Sequence, residues 1–328
     1  MIISWNTTQA CNIKCLHCYR DAGTKLADEL TTAEGKKLLT GIAAAGFKIM
    51  IFSGGEPLLR PDILELIAFA RSLGLRPVLG TNGTLIDAYL AGELKKAGLA
   101  VAGISVDSQN KERHDWFRQS PGAWEETMAG IEACRSAGLS FQIHTTVTNW
   151  NETEVTDITD LAVKLGAIAH HIFFLVPAGR GKDIEETTLK TQQYESLLAR
   201  ILEKQTAVPI ELKPTCAPQF MRIARQKNIN MRFSKGCLAG TTYCVILPNG
   251  DVQACPYLPL KAGNVRQTPF EELWRDNSLF RELRGEQLKG RCGNCGYSSI
   301  CGGCRARAYY YADGDFMAEE PWCLEGTP

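Results

Sequence analysis

Three cysteines crowd one short stretch, Cys11-Asn-Ile-Lys-Cys15-Leu-His-Cys18-Tyr-Arg, in a C-x3-C-x2-C spacing. Thiolates this close on one loop can hold three irons of a [4Fe–4S] cube and leave the fourth iron without a protein ligand. Clusters that only carry electrons are usually closed by four cysteines, so an open iron points to chemistry at the cluster. A zinc knuckle is the alternative, and it lacks a convincing fourth ligand. His17 lies between the last two cysteines, an awkward place from which to reach the same metal. The apolar run Ile2-Ile3-Ser4-Trp5 directly before the trio reads as a strand, which puts the cysteines on a loop leaving it.

Charge narrows the classes next. The 36 basic and 36 acidic residues cancel, so bulk electrostatics offers nothing to nucleic acid or an anionic membrane. The N-terminus has no basic segment followed by a long apolar run, as a signal peptide would. No stretch approaches the roughly 20 apolar residues of a membrane span. Thirteen cysteines without a secretion signal read as metal ligands in a reducing compartment, which predicts a cytoplasmic, oxygen-sensitive protein. At 328 residues and 45% hydrophobic, the chain can bury a full core and suits two domains.

Short β-rich runs alternate with helical patterns through the first half. Expected strands are Ile3–Asn6, Ile49–Phe52, Pro77–Gly80, Val101–Val106, Phe141–Val147 and His171–Leu175. Expected helices are Thr32–Ala45, Asp62–Leu73, Ile86–Ala97, Ala123–Ala137 and Glu152–Leu165, several of them stopped by a glycine. Such β-α units with short connections imply parallel strands and right-handed crossovers, hence an α/β sheet, open or barrel-like. A helix over Leu189–Lys204 and a strand over Pro209–Lys213 follow the change in composition near Ala178-Gly-Arg-Gly-Lys182. Cysteine density rises from Cys237 onward while regular periodicity fades, as expected where metal replaces an apolar core. The expected division is residues 1–185, a connecting segment 186–231, and a cysteine-rich domain 232–328.

The trio resembles the signature of the radical S-adenosylmethionine (SAM) enzymes. The resemblance covers Cys11, Cys15 and Cys18 as cluster ligands, with Tyr19 in the aromatic slot that often follows them. In that family the amino and carboxylate groups of SAM chelate the open iron. One electron then cleaves SAM, giving a 5′-deoxyadenosyl radical that takes hydrogen from substrate. The resemblance implies a partial (β/α)6 barrel with the cluster loop after the first strand, and an electron donor such as ferredoxin or flavodoxin.

Gly54-Gly55-Glu56-Pro57 follows the second strand and resembles the family's GGEP motif, which implies that Glu56 holds the amino group of SAM. Taken alone, Gly-Gly would be a turn. Ser105 and Asp107 end the fourth strand, where the resemblance implies contact with SAM; an ordinary strand end is the equal alternative. His114-Asp115-Trp-Phe-Arg118 looks like a family segment whose arginine engages the SAM carboxylate, although Arg118 also suits a salt bridge. Thr81-Asn82-Gly83-Thr84 either lines the same end of the sheet or shapes a turn.

The late cysteines run Cys237-x12-Gly250-x4-Cys255, then Cys292-x2-Cys295-x5-Cys301-x2-Cys304, then Cys323. This resembles the SPASM extension, which carries auxiliary [4Fe–4S] clusters. Only Gly302 and Gly303 separate Cys301 from Cys304, one residue fewer than the usual spacing. Carried over, the resemblance implies one cluster on Cys237, Cys244, Cys255 and Cys304, and another on Cys292, Cys295, Cys301 and Cys323. With SAM, that makes three clusters. Two zinc ribbons are the alternative. Cys134 lies in a helical pattern and reads as a small buried hydrophobe. Cys216, between two prolines in Lys213-Pro-Thr-Cys216-Ala-Pro, reads as a hydrogen donor, a ligand of a substrate iron, or a structural residue.

Within the family the chain is similar to the heme-pathway branch, which includes the heme d1 protein NirJ and the enzymes of the siroheme-dependent alternative route. The segments that carry this are Ser4-Trp5-Asn6-Thr7-Thr8, Pro214-Thr-Cys-Ala-Pro218, Cys301-Gly-Gly-Cys-Arg-Ala-Arg-Ala308 and Ala318-Glu-Glu-Pro-Trp-Cys323. That resemblance implies a small-molecule substrate, an iron tetrapyrrole, whose propionate or acetate side chains are decarboxylated or removed. A polycarboxylate calls for arginines, and Arg180, Arg222, Arg305 and Arg307 are the candidates, Arg180 with a catalytic part alongside Cys216. A SPASM peptide maturase is the second reading; the barrel is expected to begin at residue 2, without a preceding leader-binding module. An iron–sulfur electron carrier or scaffold is the third, and the GGEP segment weighs against it.

Overall fold

Parallel strands need a crossover, and here each crossover is a helix packed on the same side of one sheet. The computed structural model describes residues 1–285 and 287–325, so residue 286 and residues 326–328 of the expected C-terminal domain lie outside the described residues. Its strands are β1 (Ile2–Thr8), β2 (Ile49–Gly54), β3 (Arg76–Thr81), β4 (Val101–Ser105), β5 (Phe141–Val147), β6 (Ala169–Phe174), β7 (Glu211–Thr215), β8 (Tyr243–Ile246), β9 (Asp251–Cys255) and β10 (Leu258–Asn264). They form a single sheet in the order β10-β9-β8-β1-β2-β3-β4-β5-β6-β7. From β1 to β7 all neighbours are parallel, β8 joins β1 in parallel, and β9 and β10 turn back antiparallel. The intervening helices are α1 (Thr32–Ala44), α2 (Ile63–Ser72), α3 (Ala88–Lys96), α4 (Lys111–Arg118), α5 (Ala123–Ser136), α6 (Val155–Leu165), α7 (Thr191–Gln205) and α8 (Gln219–Gln226).

Local chemistry explains how the helices sit. Thr31 and Glu34 close a capping box at the start of α1, each satisfying the other's backbone N–H. Gly35 then lets α1 settle on β1, since a Cβ there would lie 2.6 Å from the Trp5 ring. The strands show the alternation this packing demands. In β3, β5 and β7 every second residue is buried and the residues between are more exposed, and β2 and β6 keep the pattern at Met50 and Phe52 and at His170, Ile172 and Phe174. Cys134 is fully buried in α5, within the helix-side core. No helix among the described residues is long and apolar enough to cross a membrane.

Two stretches differ from their sequence patterns. In the segment 186–231 the expected helix is α7, the expected strand sits two residues later as β7, which pairs with β6 at the sheet's edge, and a second helix, α8, follows it. Pro214 lies inside β7, which an edge strand tolerates because one of its sides needs no N–H donor. The cysteine-rich region does not rest on metal alone. Its Ile246, Val252, Phe270, Trp274 and Phe280 belong to the same apolar cluster as Trp5 and Phe47. Phe47 packs edge-on against both Phe270 and Trp274, with ring centroids 5.5 and 5.0 Å away. Arg266 adds a polar tie, donating to the Glu34 carboxylate at 2.7 Å and to Asp28 O at 2.9 Å.

Candidate active site

Past the end of β1 the chain folds back on itself and closes a loop around the three cysteines. Gly23 N donates to Gln9 O and Cys11 N donates to Gly23 O, at 2.9 and 3.0 Å. Glu29 clamps the same base, accepting from Thr8 Oγ1, Gln9 N and Leu26 N. Cys15 is buried, while Cys11 and Cys18 are partly open. Burial pushes the Cys11 thiol up to about 11 and raises Cys15 as well, so a bound cation has to drive their deprotonation. His17 stacks on Phe117, with centroids 4.2 Å apart. Among the described residues no three His, Cys, Asp or Glu side chains are close enough to share one metal ion. Three thiols on one loop are a donor set that suits an iron–sulfur cluster, and a guanidinium faces it: Arg118 Nη1 lies 3.6 Å from Cys15 Sγ.

The neighbouring strand ends hold this loop in place. Gly55 abuts Ala10 O, one residue before Cys11, so any side chain there would collide with backbone. Gly54, at φ +134°, is equally confined, its Cβ position 2.5 Å from Thr8 O. Glu56 is fully buried, and its carboxylate accepts from Thr81 Oγ1, Asn82 N and Leu58 N at 2.8–3.1 Å. Burial raises it to about 7 against those lowering hydrogen bonds. Its side chain caps the turn that begins at Pro57 and ties β2 to β3. Asn82 and Thr84 meet the cysteine loop directly through Asn12, at 2.9 and 2.8 Å.

Asp107 and Arg118 form a buried pair. Arg118 donates through Nε at 2.7 Å and contacts Asp107 through Nη2 at 2.6 Å, leaving Nη1 for Cys15. Asp107 also takes Thr146 N at 2.8 Å. The pair orients the third nitrogen of the fork toward the sulfur. Ser105 sits at the end of β4 on the open face and donates weakly to Thr81 O at 3.3 Å.

Strand register lays a polar row across that open face. Ser105 pairs with His144, His144 with His171, and His171 with Lys213. Gly103 makes room for the His144 ring, which stacks on His171 at 5.3 Å and 7°. Burial lowers His144 to about 4, so both rings are neutral at pH 7. The Lys213 ammonium makes no hydrogen bond or ion pair among the described residues and lies 4.8 Å from the Phe233 ring centroid. On the β1 side Tyr19 donates to Asn6 Oδ1 at 3.1 Å and packs on Tyr257.

The late cysteines gather in two places. Cys292, Cys295, Cys301 and Cys323 line one small pocket with Gln219 and Arg222. Gln219 Nε2 and Arg222 Nε are buried there without a partner, donors suited to sulfide or thiolate. Elsewhere the Cys304, Cys237 and Cys255 thiols share a neighbourhood. Cys244 does not join them: it is fully buried in β8, inside the apolar cluster. Cys216, at the end of β7, has Cys304, Cys255 and Cys237 around it instead.

Comparison with known proteins matches this arrangement. The radical SAM superfamily matches residues 5–162, and an iron–sulfur cluster-binding domain, SPASM, matches residues 237–296. The AdoMet-dependent heme synthase of Methanosarcina barkeri is 46% identical, over 98% of this chain and 96% of its own length. The chain belongs to the radical SAM superfamily. The Fe-coproporphyrin III synthase of the same organism is 32% identical over 98% of this chain and 87% of its own. Mycofactocin maturase MftC of Mycolicibacterium smegmatis is 30% identical over 99% of the chain and 82% of its own. Among solved structures, Streptococcus suis SuiB bound to S-adenosylmethionine superposes with a TM-score of 0.77 at 16% identity, covering 98% of this chain and 77% of that one.

This radical SAM enzyme therefore works with SAM and iron–sulfur clusters. Each of the four arginines put forward for a polycarboxylate has partners within the chain. Arg180 staples the cysteine loop through Cys15 O, Ala22 O and Asp21. Arg222 pairs with Glu195 and Glu325, and Arg305 donates to Phe316 O and Ala318 O. Arg307 is fully buried against Glu320. Sequence reading passed over Lys213, His144 and His171. The alternation in Phe141–Val147 and Ala169–Phe174 is the signal that places the two histidines on one face.

Proposed function

We propose that this radical SAM enzyme acts on the propionate side chains of an iron tetrapyrrole, in the last part of heme formation. The observation that carries the reading is the 46% identity to a heme synthase over nearly the full length of both chains. In Methanosarcina barkeri the same comparison gives 32% to the Fe-coproporphyrin III synthase, which favours the first of these two activities. The reading includes three [4Fe–4S] clusters: one on Cys11, Cys15 and Cys18, and two in the C-terminal region. It also includes a small one-electron donor protein of the ferredoxin or flavodoxin class. Bound at the trio, an open-iron cluster and SAM supply a hydrogen-abstracting carbon radical.

The chain's own residues supply placement. Gly54 and Gly55 let β2 approach the cysteine loop, and Glu56 fixes that approach from beneath. Arg118, held by Asp107, directs a cationic donor at Cys15. The open face offers a ligand the neutral rings of His144 and His171 and the ammonium of Lys213. A propionate carboxylate reaching Lys213 would gain a charge-assisted bond worth about 1.5–3 kcal/mol. Converting a propionate to a vinyl removes a hydrogen atom, CO2 and one electron, so a one-electron acceptor must lie near this face.

The test is anaerobic incubation with reductant, SAM and iron-coproporphyrin III, followed by mass spectrometry. Stepwise loss of CO2 with vinyl formation is expected, and Lys213→Ala should weaken porphyrin binding without altering SAM cleavage in its absence. An unchanged porphyrin, with SAM-dependent modification of a peptide instead, would move the enzyme to the maturases.

A further inference from the structure

We propose that Cys216, and not Cys244, is the fourth cysteine of the site formed by Cys237, Cys255 and Cys304, and that it ligates a [4Fe–4S] cluster there. The inference rests on the auxiliary-cluster reading above and changes which residue closes the site. Ligation breaks the Cys216 S–H bond, forms an Fe–S bond and releases the proton to solvent; no electron is exchanged.

Strand parity excludes Cys244 first. In β8, Cys244 pairs with Ile3 and Ile246 pairs with Trp5 and Val252, so these residues share the helix-covered face. Val245 pairs with Gln253, and Cys255 is two residues further along β9, hence on the opposite face. Cys244 and Cys255 point to opposite sides of one sheet, and no single cube reaches both. The surroundings agree: Cys244 has no exposed surface, pairs with Ile3 and belongs to the apolar cluster.

Cys216 meets the opposite description. Lys213 and Thr215 place the end of β7 on the open face, and Cys216 follows with φ +59°, a left-handed conformation costly for a residue with a Cβ. Two hydrogen bonds from Arg307, at 2.7 and 3.2 Å, hold the Cys216 carbonyl in that conformation. Arg307 Nε donates to Glu320 at 2.8 Å, and the other oxygen of Glu320 takes Cys304 N at 2.7 Å. One buried ion pair thus joins the backbone of Cys216 to that of Cys304. Gly236, beside Cys237, packs against Pro218 O so tightly that a Cβ would lie 2.6 Å from it. The buried Arg307 also places a positive charge beside the negative charge that four thiolates bring.

The experiment uses the full chain with Cys11, Cys15 and Cys18 all changed to Ala, so only auxiliary clusters remain. This parent should hold about eight irons after anaerobic reconstitution; about four irons or fewer would overturn the auxiliary-cluster reading itself. On the eight-iron parent, Cys216→Ala should lose between one and four irons or give a three-iron EPR signal on mild oxidation. Cys216→Ser should keep the irons with an altered EPR spectrum, which shows that the chain still folds. Cys244→Ala should keep both iron and spectrum and lower only the melting temperature. Iron loss in Cys244→Ala with an unchanged spectrum in Cys216→Ala would overturn the proposal. So would an unchanged cluster in Cys216→Ala that no longer binds iron-coproporphyrin, which would make Cys216 a substrate ligand.

Discussion

The two cysteine regions are built in opposite ways. At the N-terminus, Cys11, Cys15 and Cys18 come from one loop, closed at its base by Gln9 and Gly23. In the C-terminal half the site around Cys304 draws on β7, β9, the segment before β8 and the N-terminus of helix Arg305–Tyr311. The first is a local motif whose spacing alone states its geometry. The second exists only after a long sheet has formed, because strand parity decides which cysteines face each other. A linear pattern can therefore describe the first site and still misassign a member of the second.

Breaking the local site should have the largest effect. Changing Cys11, Cys15 and Cys18 together to Ala should abolish SAM cleavage while C-terminal iron stays bound. Iron analysis and a 5′-deoxyadenosine assay check this, and loss of all iron would show that the two regions are not built independently. Arg118→Ala comes next, since it leaves Asp107 buried without its partner, a change that costs about 3–5 kcal/mol. Chemical denaturation should show that drop, with Arg118→Ala plus Asp107→Asn recovering part of it.

Glu56 sharpens the comparison from the other side, because it supports the local site through long-range hydrogen bonds. Glu56→Ala should cost about 1–3 kcal/mol and weaken SAM binding in a titration, since Asn82 N loses its acceptor. Its raised pKa gives a pH signature. A carboxyl lifted from 4.5 to about 7 contributes stability at low pH that is lost as pH rises through about 7. The stability difference between wild type and Glu56→Gln should change by up to about 3 kcal/mol between pH 4.5 and 7. A flat difference would show that the carboxyl is ionised throughout. Cys244→Ala should have the smallest effect, about 1 kcal/mol of thermal stability from a small cavity in the core.

Much of this was legible in the chain because the carriers were local. The strand at Phe141–Val147 lies where its alternation puts it, and the glycine stops mark helix ends within a residue or two. The strand expected at Pro209–Lys213 sits at Glu211–Thr215, and that shift brings Cys216 to a strand end rather than an irregular segment. Pro214 hid it, since only the edge position makes a proline acceptable there. The arginines were illegible for another reason. A guanidinium shows in sequence as a charge, and only the fold reveals that Arg180 holds loop carbonyls and Arg307 holds Glu320. Lys213 shows the converse: one lysine in a strand looks ordinary until register sets it beside His171.

The central claim is that the loop site and the open face serve one substrate, a tetrapyrrole propionate. Deuterium on the propionate methylene groups of iron-coproporphyrin III tests it most directly, read as label in 5′-deoxyadenosine after an anaerobic turnover with SAM and reductant. The account predicts deuterium transfer accompanied by loss of CO2 from the same side chain. Unlabelled 5′-deoxyadenosine from every labelled tetrapyrrole, with transfer from a labelled peptide, would contradict it.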